Sequence, residues 1–117
     1  MTGDRVPVTV VELPDFSALA ERLWSPEERE EFVDFIARNP ETGKIIAATG
    51  GVRKVRWGRK GMGSRGGVRV IYYFFDESVP LLLMTLFAKN ERDDLGEDDK
   101  RDLRAFTKAF KAARRQQ

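Results

Sequence analysis

Apolar residues recur along this chain with two periods. In PDFSALAERLW, residues 14–24, Phe16, Leu19, Ala20 and Leu23 fall at i, i+3, i+4 and i+7. That spacing is one face of a helix, with Asp15 positioned as its cap. The next helix announces its own start: Ser25, Pro26 and Glu28 form a capping-box pattern with proline at the first helical position. Phe32, Val33, Phe35 and Ile36 supply its apolar face. Asn39-Pro40 ends it, because a proline ring disfavours helical geometry in the residue before it. The short connection between the two segments predicts a helical hairpin.

Elsewhere the period is two, or the apolar run is continuous. VPVTVVEL, residues 6–13, has the β-branched content of a strand, and Pro7 directs it to an edge or a strand start. VRKVRW, residues 52–57, alternates: Val55 and Trp57 share one face, Lys54 and Arg56 the other. VRVIYYFFD, residues 68–76, is rich in β-branched and aromatic residues. PLLLMTLFA, residues 80–88, is apolar on both faces, which predicts a central strand. Glu77–Val79 reads as the tight link of a hairpin between them. Over residues 97–115, Leu103, Phe106, Phe110 and Ala113 form one helical stripe. The order β-α-α-β-β-β-α predicts an α+β fold, an antiparallel sheet with segregated helices, as a single domain over residues 1–117.

Composition narrows the chemistry. The chain contains neither Cys nor His. A disulfide framework and a Cys/His zinc site are excluded, as is imidazole acid–base catalysis. No metal or cofactor is expected. No run is long and apolar enough to span a membrane, and the N-terminus lacks a signal-peptide pattern, so a cytoplasmic protein is expected. The formal net charge is only +2, but its layout is uneven. Acids dominate from Glu12 to Glu41 and again from Glu91 to Asp102. Between them Arg53, Lys54, Arg56, Arg59, Lys60, Arg65 and Arg69 form a block with no acid. Such a block attracts polyanions, nucleic acid first among them.

Half of the glycines fall inside that block. In GRKGMGSRGG, residues 58–67, Gly61, Gly63 and Gly66 fit the dinucleotide expression G-x-G-x-x-G, and with Val68 also the kinase loop. A dinucleotide loop must open a helix, whereas these glycines run into the strand at 68–75. A kinase needs H-R-D and D-F-G motifs, and neither occurs. Both matches are coincidental, and the glycines are expected to form a long mobile hairpin loop.

The cations are a separate matter. Antiparallel pairing of the two strands would bring Lys54, Arg56 and Arg69 together, and like charges opposite one another are unfavourable. Cations crowded without intervening carboxylates point to an anionic ligand. Arg53, Arg59, Lys60, Arg65 and Arg92 extend the candidate nucleic-acid-binding set, the one that the resemblance described below turns toward RNA and ribosome. Most of the nearby aromatics belong to the core, with Tyr73 as the candidate to stack on a base.

TGGVRKVRWGRKGMGSRGGVRVIYYFF followed by LLLMTLFAKNERDDL resembles the RelE/HigB group of toxins from bacterial type II toxin–antitoxin systems. The resemblance runs from about Pro40 to Phe110. It implies a compact RelE-like ribonuclease fold and an endoribonuclease that cuts mRNA in the ribosomal A site, halting translation. It further implies metal-free chemistry, in which a 2′-hydroxyl attacks the adjacent phosphate. A cognate antitoxin, a helix-turn-helix protein encoded next to the toxin, is the implied partner besides ribosome and mRNA. By the resemblance, Lys54 and Arg56 take the base and phosphate roles, in either order. Arg69 holds the phosphate, and Lys89 lies near the family's late catalytic position. Asn90 stands where some relatives carry arginine, and no tyrosine follows to stack the base. Two other readings stay open: a non-catalytic nucleic-acid-binding module, and a gyrase-targeting toxin of the ParE branch. The dense basic strand pair favours the nuclease.

Overall fold

Proline sets the start of both N-terminal helices. In the computed structural model, which describes residues 6–59, 63–89 and 94–115, α1 runs Pro14–Leu23 and α2 runs Pro26–Arg38. Leu13 occupies the cap position of α1 and makes no side-chain cap bond. Asp15 therefore lies inside the first turn instead of capping it, where its charge still complements the helix dipole. The capping box of α2 forms as its pattern requires. The Glu28 N–H donates to Ser25 Oγ at 3.1 Å, and the Ser25 N–H donates to Glu28 Oε1 at 2.9 Å.

The strands are β1 (Val10–Glu12), β2 (Lys44–Ile45), β3 (Arg53–Arg59), β4 (Gly63–Tyr73) and β5 (Leu81–Ala88), and α3 (Glu97–Arg115) closes the chain. They form one sheet in the order β1-β5-β4-β3-β2. β3–β4 and β4–β5 are antiparallel, as expected, and so is the added pair β2–β3; β1 lies parallel to β5 and makes the sheet mixed. Parallel strands need a long crossover between them, and the intervening helices and strands supply it. β5 has a neighbour on each side and a core against each face, Leu81, Leu83 and Leu86 in one and Met84 and Phe87 in the other, which accounts for its two apolar faces; β1 is the edge strand that Pro7 indicated. β2 was not foreseen, because its two exposed residues carry no period.

The long glycine loop is shorter than expected. β4 already begins at Gly63, so the second half of the glycine run is strand. At Gly67 a Cβ would lie 2.9 Å from the Trp57 carbonyl oxygen. Glycine here lets β3 and β4 approach closely beside the basic positions.

Each face of the sheet carries its own core. On one, Phe16, Trp24, Phe32 and Ile36 of the helical hairpin region meet Val68, Val70, Tyr72, Leu81, Leu83 and Leu86. On the other, Leu103 and Phe110 of α3 pack against Val52, Ile71, Tyr73, Met84, Phe87 and Leu95. The stripe expected on α3 is partly displaced: Thr107 is its buried residue, and Ala113 is exposed. Thr107 Oγ1 donates to the Thr49 carbonyl at 2.8 Å. Gly50 sits under it with φ +78, and a Cβ there would come within 2.2 Å of the hydroxyl oxygen. Arg104 and Lys111 add bonds to the carbonyls of Ala48 and Gly50, at 3.2 and 2.9 Å. α3 is thus bound to the turn before β3 by polar contacts as well as by its aromatic face.

Candidate functional site

The alternation of β3 decides which cations meet. Trp57 turns toward α2, with its ring 5.3 Å from Phe32 and 4.9 Å from Phe35. Lys54 and Arg56 consequently take the opposite face. Arg56 pairs directly across β3–β4 with Arg69, and Lys54 pairs across β2–β3 with Lys44. Lys44, Lys54, Arg56 and Arg69, with Thr42 and Val55, line a cleft of about 500 Å³.

Arg69 is the unusual member. It is only 8% exposed, and its Nη1 is buried without a hydrogen-bond partner. No carboxylate among the described residues pairs with it. A buried cation is costly unless an opposite charge and hydrogen bonds compensate it. The donors around this cleft are cationic, a set suited to an anion. Among the described residues no group of Cys, Asp or Glu gathers in a way that would hold a metal ion.

One carboxylate does reach the site, and it comes from far along the chain. Asp94 Oδ2 accepts from Lys54 Nζ at 3.0 Å, and its Oδ1 accepts from the Leu95 N–H at 2.8 Å. The hydrogen bond from Lys54, then that from Leu95, hold the Asp94 carboxyl below the usual carboxylate range. The cations are therefore not free of intervening acids, as their sequence block implied. Asp94 belongs to the quoted FAKNERDDL stretch but had been given no role there. Thr42 and Lys44 were also missed, since nothing before the pairing of β2 connects them with β3.

Several expected site residues lie elsewhere. Arg53 points to the other face of β3, where Nη1 donates to the carbonyls of Glu41 and Gly43 at 3.1 and 2.7 Å. Its cross-strand neighbour Tyr72 accepts from the Gly43 N–H at 2.9 Å and donates to the Pro40 carbonyl at 2.8 Å. Arg53 and Tyr72 thus fasten the 40–43 turn that carries Thr42 and Lys44 to the cleft, and Arg53 is spent on the protein's own backbone. Burial of Tyr72 raises its phenol above the ordinary range.

Tyr73 is covered by α3, its ring edge-on to Phe110 at 5.3 Å and to Phe106 at 6.4 Å. At 3% exposure it offers no open face to a base; parity on β4 turns it into the second core. Lys89 is exposed at the end of β5, where its N–H donates to the Gly67 carbonyl at 3.3 Å, and it does not line the cleft. Arg59 and Arg65 lie on β3 and β4 by their backbones. Lys60 and Arg92, and with them Asn90, fall outside the described residues.

No helix among the described residues is long and apolar enough to cross a membrane. Residues 28–117 match the family described as the RelE toxin of the RelE / RelB toxin–antitoxin system. The matched span takes in all but the first residues of α2, strands β2 to β5, α3, and every residue of the cationic cleft. The chain therefore belongs to the RelE toxin family: it is the toxin of a toxin–antitoxin pair, and its partner is an antitoxin.

Proposed function

We propose that the protein is an endoribonuclease that cuts mRNA during translation, without a metal, in the cationic cleft between β2, β3 and β4. The observation that carries this reading is Arg69, a nearly buried guanidinium with no carboxylate partner among the described residues, lining a cleft together with Lys44, Lys54 and Arg56. In the reaction the 2′-oxygen forms a bond to the adjacent phosphorus as its proton leaves. The P–O5′ bond breaks, and the departing oxygen takes up a proton. The products are a 2′,3′-cyclic phosphate and a 5′-hydroxyl. Negative charge grows on the non-bridging oxygens in the transition state, and fixed cations stabilise it more than they stabilise the ground state. Arginine keeps its proton in proteins, so Arg56 and Arg69 hold the phosphate. Lys54 is then the one of the expected β3 pair able to exchange a proton with a reacting oxygen. Its setting between Arg56 and Asp94 keeps it close to them. Action on translating ribosomes places the protein in the cytoplasm with ribosome, mRNA and antitoxin as its partners.

The test is a translation extract programmed with a defined mRNA, with cuts mapped by primer extension. Cuts confined to translated regions, and strongly reduced in Arg69→Ala and Lys54→Ala, support the reading. Losing one preorganised donor typically lowers the rate by ~10²–10³-fold. Equal cutting of naked and ribosome-bound RNA would refute the ribosome-dependent version. Growth arrest with intact mRNA and altered plasmid supercoiling would point to gyrase instead. RNA binding that persists with no cutting under any condition would leave a binding module.

A further inference from the structure

Lysine is a poor residue to leave unrestrained beside two arginines. Its ammonium sits on a flexible four-carbon stem, and like charge drives it toward solvent. Lys54 is nevertheless held at the cleft. Asp94 Oδ2 accepts a hydrogen bond from its Nζ at 3.0 Å, across 40 residues of chain. That leaves two ammonium donors for a ligand. Lys54 lines the cleft with Arg56 and Arg69, whereas Asp94 does not. The carboxylate grips the lysine from outside and leaves the anion site open. Asp94 is itself anchored: its Oδ1 accepts the Leu95 N–H, and Leu95 is buried in the same core as Val52, two residues before Lys54. The ion pair thus joins the segment leading into α3 to the strand that bears the reactive cations.

We propose that Asp94 is a positioning residue, which holds Lys54 Nζ at the cleft beside Arg56 and Arg69 so that the ammonium meets the reacting phosphate. This inference rests on the cleavage reading above. It makes Asp94 an acid that assists an anion-binding site without touching the anion.

The experiment is a double-mutant cycle on mRNA cleavage in the translation extract, using Asp94→Asn, Lys54→Ala and the two combined. Asn preserves the shape and the acceptor for Leu95 N–H but removes the charge. Asp94→Asn is expected to lower kcat about fivefold with KM little changed, the factor available from a partly exposed ion pair. Asp94→Glu should recover part of the loss. In a Lys54→Ala background Asp94→Asn should have no further effect, because its route of action is gone. Melting temperature should fall by no more than the small contribution of a partly exposed ion pair, and antitoxin binding should stay unchanged. Should Asp94→Asn melt early, Asp94→Ser, which retains an acceptor, replaces it in the cycle. Wild-type cleavage by Asp94→Asn overturns the inference, as does an equal loss in both backgrounds. If Lys54→Ala itself cuts normally, the reading of the site fails and the positioning role falls with it. If Lys54→Ala is silent while Asp94→Asn is fully active, the positioning role alone is lost.

Discussion

Arg69→Met should separate function from stability by moving them in opposite directions. Arg69 is buried to 8% exposure, its Nη1 has no partner, and it stands directly across from Arg56. Leaving a donor buried and unsatisfied costs about 1–3 kcal/mol. An opposed like-charge pair in a sheet adds ~0.2–1 kcal/mol. Methionine keeps a long apolar stem in contact with the surrounding core and removes both penalties. The folded state should therefore gain about 1–3 kcal/mol, which in a domain near this size raises Tm by several degrees. The same substitution should lower mRNA cleavage ~10²–10³-fold. Calorimetry and the primer-extension assay read the two effects on one preparation. A third reading comes from inorganic phosphate. It should raise the Tm of the unaltered protein, since a ligand that binds only the folded state stabilises it by mass action, and it should do much less for Arg69→Met. A variant that loses stability and activity together would show that Arg69 is a structural cation, and the anion-site reasoning would be refuted.

Three further outcomes follow from the contacts. Gly50→Ala places a methyl group against Thr107 at a backbone φ of +78, so it should cost ~2 kcal/mol or more and loosen α3, read by denaturant unfolding and amide exchange in residues 97–115. Arg53→Ala should weaken the 40–43 turn by ~1–2 kcal/mol in chemical denaturation, with a smaller fractional loss of cleavage than Lys54→Ala, because it acts on the turn and not on the phosphate. Acid should destabilise the protein through Glu12, held below its ordinary range first by hydrogen bonding to Arg29, and through Asp94, held down first by Lys54. Groups lowered on folding contribute stability above their unfolded values, near pH 4, and lose it as pH falls through their folded ones. Tm should hold from neutrality to about pH 5 and drop below pH 4, and Glu12→Gln should flatten that drop; an unchanged acid limb in the variant would exclude Glu12 as a source.

Signals set within a few residues were legible without the fold. The capping box at Ser25 and Glu28 is local chemistry, and so is the stop at Asn39-Pro40. Alternation along residues 52–57 assigned Lys54 and Arg56 to the face away from Val55 and Trp57, and hairpin logic placed Arg69 near them. The same alternation put Arg53 with Val55 and Trp57, and counting charges without regard to parity had obscured it. Tyr73 was open to the same correction, since it follows a residue of the opposite core.

What depended on tertiary structure involves partners far apart in the chain. Asp94 meets Lys54 only because Leu95 is buried in the core beneath α3, and a local pattern does not specify which buried leucine aligns with which strand. Lys44 joins the cleft only because Arg53 and Tyr72 tie down the turn before it. The parallel seat of β1 beside β5 pairs residues as far apart in the chain as Val10 and Leu81, which no local pattern specifies. Periodicity records which side of each element turns to a core. Which elements share that core, and which charges then stand opposite one another, is decided by the packing that buries both apolar faces of the sheet at once.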